Sequence, residues 1–168
     1  MKFIGLTFFL LVITGCATIP VPDKMELYAS AGNYHELSES IEGSGALNLR
    51  IKLNELSNGT NWAPGAMISF VKGGYENTLI FTVYQKEPGD KFLTAAYRYA
   101  VNDKDVFFRD LPKTYPIDSP IDLTVKWETN TGFHFSFSGH PVISFKPDFQ
   151  VDKVLYSISS GSGVIEKI

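Results

Sequence analysis

Apolar and polar side chains alternate along much of the chain beyond residue 45. Residues 46–53 read ALNLRIKL, in which leucine or isoleucine alternates with asparagine, arginine and lysine. Residues 121–127 (IDLTVKW) and 133–138 (FHFSFS) repeat the pattern. Because successive side chains of a β-strand point to opposite sides, this period of two predicts strands that bury one face.

Turn-forming residues separate further runs of this kind. Residues 77–85, NTLIFTVYQ, form a continuous β-branched and aromatic run, which suits a strand in the middle of a sheet. A Pro-containing stretch from Leu111 to Pro120 follows the short strand predicted before it. Many short strands with regular turns favour an all-β fold, an antiparallel sandwich or barrel. The other predicted strands are residues 66–72, 91–101, 106–109, 142–146, 151–159 and 163–168.

The segment 24–42 does not alternate clearly. Tyr34, Leu37 and Ile41 recur at helical spacing, whereas Met25–Ala29 could form a strand. Short runs are ambiguous between the two structures, so residues 34–42 are left open as a short helix or a strand.

The N-terminus has the layout of a secretory signal. Lys2 precedes an apolar run from Phe3 to Ile13, and the small residues Thr14 and Gly15 follow. As a helix this run would extend about 16 Å, roughly half the hydrocarbon core of a bilayer. The segment is therefore expected to be a cleaved signal over residues 1–15 rather than a permanent membrane span.

The stretch Ile13-Thr14-Gly15-Cys16 resembles the bacterial lipobox. That resemblance implies acylation of Cys16, as in palmitate-bearing lipoproteins, with the lipid bilayer as partner. More than one acyl chain gives stable attachment. Ala17 stands where inner-membrane lipoproteins carry Asp, which resembles an outer-membrane address in the cell envelope. The alternative is an ordinary cleaved signal followed by an incidental cysteine.

The chain is expected to hold one folded domain. Its 168 residues show no internal repeat and no compositional break that would mark a second domain. Residues 16–23, with two prolines, are interpreted as the lipidated N-terminus and an extended tether. Residues 24–168 are predicted to form the domain.

Composition narrows the possible functions. Aromatic residues make up 14% of the chain, which reinforces the β prediction. The net charge is −3 and no run of Lys or Arg occurs, which argues against nucleic-acid binding. The single cysteine excludes an internal disulfide and a multi-cysteine zinc site.

From residue 45 onward the order of features resembles the concanavalin A-like, or laminin G-like, jelly roll. An early strand (ALNLRIKL) leads to a loop with Trp62 and then to the pair AMISFVK and NTLIFTVYQ. A hairpin, IDLTVKWETNTGFHFSFSG, and a closing segment, VLYSISSGSGVIEKI, follow. The resemblance implies a two-sheet antiparallel sandwich. Members of this fold include lectins, glycanases and protein-interaction modules, so the fold does not fix the activity.

Candidate catalytic and metal-binding residues are sparse. Glycanases of this fold place acidic residues at alternating strand positions, Glu-x-Asp-x-(x)-Glu, and that motif is absent. Asp103, Asp105 and Asp110 are weak candidates for a calcium site, although turn chemistry also accounts for acidic residues there. The three histidines have no catalytic spacing and are interpreted as surface or structural residues. No cofactor is expected.

Aromatic residues in turns are the main binding candidates. Trp62, Tyr75 and Tyr115 lie outside the alternating runs, beside Gly, Pro and Asn. They could form a platform on which sugar rings stack, or they could fold over the ends of the sandwich as plugs. The favoured hypothesis is a non-catalytic envelope module that binds a glycan or a protein partner. The alternatives are a structural or assembly lipoprotein and a glycan hydrolase.

Overall fold

A computed structural model describes residues 20–58, 63–129 and 132–168, and within these ranges all regular structure is β-strand. The described strands pair in antiparallel fashion throughout. Their bounds are β1 Lys24–Ser40, β2 Gly45–Leu56, β3 Gly65–Lys72, β4 Asn77–Tyr84, β5 Phe92–Val101, β6 Lys104–Pro116, β7 Ile121–Glu128, β8 Gly132–Phe137, β9 Ile143–Phe145 and β10 Lys153–Lys167.

The sheet folds over into two layers that share β1 and β10. Layer 1 contains residues 34–40 of β1 and 153–159 of β10, followed in order by β3, β4, β5 and β6. Layer 2 contains residues 24–29 of β1 and 161–167 of β10, followed by β2, β7, β8 and β9. Of the two arrangements that the strand pattern favoured, sandwich and barrel, the structure has the antiparallel sandwich.

Strand β10 passes from one layer to the other at Ser160 and Gly161. The two residues have φ angles of 46° and 157°. A Cβ atom on Gly161 would lie 2.1 Å from the carbonyl oxygen of Glu55, so the bend requires glycine. The sequence predicted two separate closing strands at 151–159 and 163–168. That prediction is wrong, because one bent strand covers both.

Aromatic side chains join the facing layers. The ring centroids of Phe70 and Trp127 lie 5.5 Å apart, and those of Phe81 and Phe135 lie 4.5 Å apart. Each pair joins one ring from layer 1 to one from layer 2. Such aromatic contacts add to the free energy gained by burying the rings, so they hold the layers in register.

Two stretches without clear alternation are nevertheless strands. Residues 34–40 belong to β1, and Leu37 pairs with Tyr156 of β10 and packs against the core. Pairing with a neighbouring strand thus overrides the helical spacing of Tyr34, Leu37 and Ile41. Strand β6 likewise extends to Pro116, well beyond the predicted end at 109, because its partner β5 runs alongside it.

The described chain begins just before the sandwich. Val21 packs against the core, and the carbonyl of Asp23 accepts a hydrogen bond of 2.7 Å from the amide of Lys167. The predicted signal and Cys16 lie outside the described residues. No helix long and apolar enough to cross a membrane occurs within residues 20–58, 63–129 and 132–168.

Candidate functional site: the outer face of layer 1

The outer face of layer 1 is lined by small side chains that are buried. Strand registers place Ser157, Met67, Thr82 and Ala96 opposite one another across β10, β3, β4 and β5. Ser157 is only 2% exposed although it points away from the core. A face that looks outward and is still buried forms the floor of a concavity.

This concavity, called the groove below, has a volume of about 500 Å³. Serine, threonine and alanine side chains from the central strands form its floor, with Met67 and Ile80 as the larger apolar groups. Tyr34 and Tyr75 line one side, and Tyr84 and Phe108 line the other. The groove thus combines an apolar lining with a few polar groups, as small-ligand sites in proteins do.

The side of the groove lined by Tyr34 and Tyr75, called the first wall, depends on a contact between Tyr75 and Glu36. Tyr75 lies in the turn between β3 and β4, and its hydroxyl donates a hydrogen bond to the carboxylate of Glu36 on β1. Burial, reinforced by this hydrogen bond, raises the pKa of Tyr75 well above its usual value. The phenol therefore stays neutral and holds the carboxylate at the edge of the groove.

The opposite side, lined by Tyr84 and Phe108 and called the second wall, depends in a similar way on a contact between Tyr84 and Asp110. The Tyr84 ring packs edge-to-face on Phe108, with centroids 6.0 Å apart. Its hydroxyl donates to Asp110 at 2.8 Å, and Lys86 donates to the other oxygen of Asp110 at 2.7 Å. Burial and the hydrogen bond to Asp110 raise the pKa of Tyr84.

Asp110 itself is held in the charged form. Burial acts to raise its pKa, but the hydrogen bonds from Lys86 and Tyr84 and the charge of Lys86 act in the opposite direction. Together these outweigh the burial, and the pKa lies below its ordinary value of 3.8. The second wall therefore carries a carboxylate with both oxygens engaged.

Polar groups between the walls differ in how well they are paired. Arg98 on β5 donates to Asp105 at 2.5 Å, which neutralises both charges. The hydroxyl of Ser157 donates to the carbonyl of Met67 on β3, and that of Ser159 donates to the carbonyl of Ala63, just before β3. Thr78, only 1% exposed, has a hydroxyl with no hydrogen-bond partner among the described residues.

The three aromatic candidates from the sequence do not come together. Tyr75 is 48% exposed and lines the groove. Tyr115 is 4% exposed within the core, and its hydroxyl donates to the carbonyl of Ser138 at 2.8 Å. The extended strand β6 carries Tyr115 inward, away from the groove. Trp62 lies outside the described residues.

The weak calcium candidates are also separate. Asp105 pairs with Arg98 and Asp110 pairs with Lys86. Their partners on β5 are Ala100 and Ala96, which are four residues and thus about 13 Å apart along the strand. In the part of the chain that the structure describes, no three Asp, Glu, His or Cys side chains are grouped closely enough to hold a metal ion.

The carboxylates of the two walls are widely spaced. Glu36 and Asp110 lie at opposite ends of one cross-strand row that spans the six strands of layer 1. Five strand spacings correspond to about 24 Å along the sheet. Paired carboxylates of glycoside hydrolases lie about 5–10 Å apart, so these two groups do not form such a pair.

Comparison with known proteins establishes the fold. No protein-family model and no curated protein matches the chain. Among solved structures, the carbohydrate-binding module CBM66 from Bacillus subtilis aligns with a TM-score of 0.51 at 12% identity, covering 86% of this chain and 92% of that one. The CBM2 module of the evolved Dit of Lactobacillus casei BL23 phage J-1 gives 0.50 at 10% identity, covering 84% and 75%.

A third solved structure extends this comparison. The heptameric SAP-like pentraxin from Limulus polyphemus aligns with a TM-score of 0.51 at 15% identity, covering 88% of this chain and 75% of that one. At such low identities the likeness concerns the fold alone. The chain has an antiparallel jelly-roll sandwich, the fold that the resemblance of its sequence implied.

Proposed function

We propose that the protein is a non-catalytic module that binds a glycan in the groove of layer 1. The observation that carries this proposal is the groove itself, about 500 Å³ of space with a floor of small side chains and with aromatic walls. A sugar ring presents apolar C–H faces and a rim of hydroxyl groups. The aromatic rings can stack on the faces, and the wall tyrosines and carboxylates can bind the hydroxyls.

The fold comparison supports this choice of ligand class. Two solved structures with the same fold are named as carbohydrate-binding modules. The wide separation of Glu36 and Asp110 argues against hydrolysis by that pair of carboxylates. A protein partner remains the alternative occupant, and a glycan screen separates the two possibilities.

We also propose that the module is held at a membrane of the cell envelope by acyl chains on Cys16. The support is the lipobox-like sequence at residues 13–16. Cys16 stands five positions before Val21, which packs on the domain, so the anchor would hold the sandwich near the membrane. The chain then enters the layer 2 half of β1, whereas the groove lies on the outer face of layer 1.

Lipid attachment is tested by metabolic labelling. In a bacterial host, the protein is expected to incorporate labelled palmitate and to fractionate with membranes. The Cys16→Ser variant should lose the label and become soluble. Label that persists in Cys16→Ser, or a wild-type protein that never acquires it, would rule out the anchor.

Glycan binding is tested on an oligosaccharide array followed by calorimetry with the best ligand. Tyr84→Ala removes a wall ring and should weaken binding roughly 30-fold, the loss typical of a buried aromatic contact. Tyr28→Ala is the matched control, since Tyr28 is exposed at an outward position of layer 2. An array without any bound glycan, or an equal loss in Tyr28→Ala, would argue against the proposal.

A further inference from the structure

We infer that the groove selects neutral glycans and rejects acidic ones, an inference that rests on the proposed function. The charged side chains that line the groove are Glu36, Arg98 and Asp103. Arg98 is already paired with Asp105, so its charge is compensated. Glu36 and Asp103 are left as carboxylates without a cationic partner among the described residues.

Glu36 is fixed on the groove by its strand and its hydrogen bond. It pairs with Ser157 of β10 and so belongs to the outward row of layer 1. In the groove its carboxylate accepts a hydrogen bond from the neutral phenol of Tyr75. Residues 59–62, which precede the groove residue Ala63, carry no charged side chain in the sequence. The negative charge of Glu36 is therefore presented to whatever enters.

Asp103 is held in the turn between β5 and β6, next to the turn that carries Tyr75. It follows Asn102 in the two-residue turn between β5 and β6, where both residues have positive φ angles, 51° and 60°. The amide of Asp103 donates to the carbonyl of Glu76 at 3.0 Å, which ties this turn to the one that carries Tyr75. Asp103 thus lines the groove from a turn that is hydrogen-bonded to its neighbour.

The remaining polar capacity of the groove suits hydroxyl groups. Thr78 faces the groove side of β4, and its buried hydroxyl lacks a partner among the described residues. A sugar hydroxyl can both donate to a carboxylate and accept from a threonine. A ligand carboxylate can only accept, and it would meet Glu36 and Asp103 in a partly desolvated space where like charges repel strongly.

The test uses matched pairs of ligands with the full-length protein in detergent. The pairs are glucan, galactan and mannan oligosaccharides and their C6-oxidised uronate counterparts, titrated at low ionic strength. In every pair that binds, the neutral member should bind at least about tenfold more tightly. Added salt should narrow the difference because it screens the repulsion.

Charge-neutralising variants assign the effect to the groove. Glu36→Gln with Asp103→Asn should reduce the neutral-to-uronate affinity ratio at least about fivefold. Glu26→Gln with Glu166→Gln makes the same change in net charge at outward positions of layer 2 and should leave the ratio unchanged.

The possible outcomes distinguish the inference from the proposed function. Uronates that bind as tightly as neutral glycans would overturn the inference and leave glycan binding intact. A ratio that stays the same in Glu36→Gln/Asp103→Asn, or falls equally in the layer 2 control, would also overturn it. If no member of any pair binds, the proposed function fails and the inference fails with it.

Discussion

The two outer faces of the sandwich differ in the size and the exposure of their side chains. On layer 2, outward positions carry charged side chains such as Arg50 and Asp122. These two residues form an ion pair, and the Arg50 side chain is 46% exposed. On layer 1, the corresponding positions carry Ser69, Thr78 and Ser157, all buried. The same strand pairing therefore supports a solvated face on one side and a groove on the other.

Side-chain size accounts for this difference. Short side chains on the central strands of layer 1 leave space above the sheet, and larger groups on the flanking strands and turns rise around that space. On layer 2 the outward side chains of β2, Asn48, Arg50 and Lys52, are exposed to water. The groove thus depends on small residues in the centre as much as on aromatic rings at its walls.

The largest loss of glycan affinity is expected when a large side chain fills the floor of the groove in layer 1. Thr82→Trp places an indole in the middle of the groove, where Thr82 now donates to the carbonyl of Ala66 at 3.0 Å. A tryptophan buries about 150–250 Å² and would occupy the ligand volume. Binding of any glycan ligand should weaken at least about 100-fold, as measured by calorimetry.

Thr124→Trp is the matched control on layer 2. Thr124 is half-buried and points outward on β7, opposite Asn48 and Ser136. Its replacement should leave the affinity unchanged, and circular dichroism should show that both variants keep the β fold. Equal affinities in the two variants would place the binding surface elsewhere.

The contrast between the faces was partly readable from the sequence. Alternation at residues 46–53 predicts layer 2 strands with one polar face, and Arg50 and Lys52 do face outward. The continuous run at 77–85 predicts a strand buried on both faces, which β4 is. The further signal is the small size of Thr78 and Thr82 on the second face, which distinguishes a groove from a core.

Other features of the site depend on which strands pair and in which register, and these cannot be derived from composition or residue spacing. The contact of Glu36 with Tyr75 requires the register of β1 on β10, and the sequence left residues 34–42 open between helix and strand. Tyr115 stands outside the alternating pattern because two irregularities interrupt the pairing of β6 with β5, yet its ring lies in the core. Position outside a clear strand pattern is therefore a weak guide to exposure.

A second, smaller effect is expected where the two layers join. Gly161→Ala would place a Cβ atom 2.1 Å from the carbonyl oxygen of Glu55. Relief of that clash must shift the bend of β10, at a cost of about 3 kcal/mol in the free energy of unfolding. Urea denaturation monitored by tryptophan fluorescence measures the loss.

Gly89→Ala provides the comparison for this bend. Gly89 also has a positive φ angle, 89°, but a Cβ atom there would meet nothing within 4 Å. Only backbone strain remains, so the cost should be about 1 kcal/mol. If the two variants lose the same stability, the close approach of Gly161 to Glu55 does not constrain the junction of the layers.

The smallest effect concerns the ion pair on the second groove wall and its dependence on pH. The folded-state pKa of Asp110 lies below 3.8, so its stabilising contribution is complete at neutral pH and is lost as the pH falls through that lower value. Asp110→Asn should therefore be less stable than the wild type by roughly 0.5 kcal/mol at pH 7, the size typical of a partly exposed ion pair. The difference should vanish in strong acid.

Urea denaturation from pH 7 down to pH 2 follows this difference. Asp118→Asn makes the same chemical change in the exposed turn after β6, where no ion pair with Asp118 is found among the described residues, and controls for general effects of acid. The wild type and Asp110→Asn curves should converge below pH 3.8. Curves that remain parallel would mean that Lys86 and Tyr84 do not lower the pKa of Asp110, and the ion pair would then not contribute to the stability of the second wall.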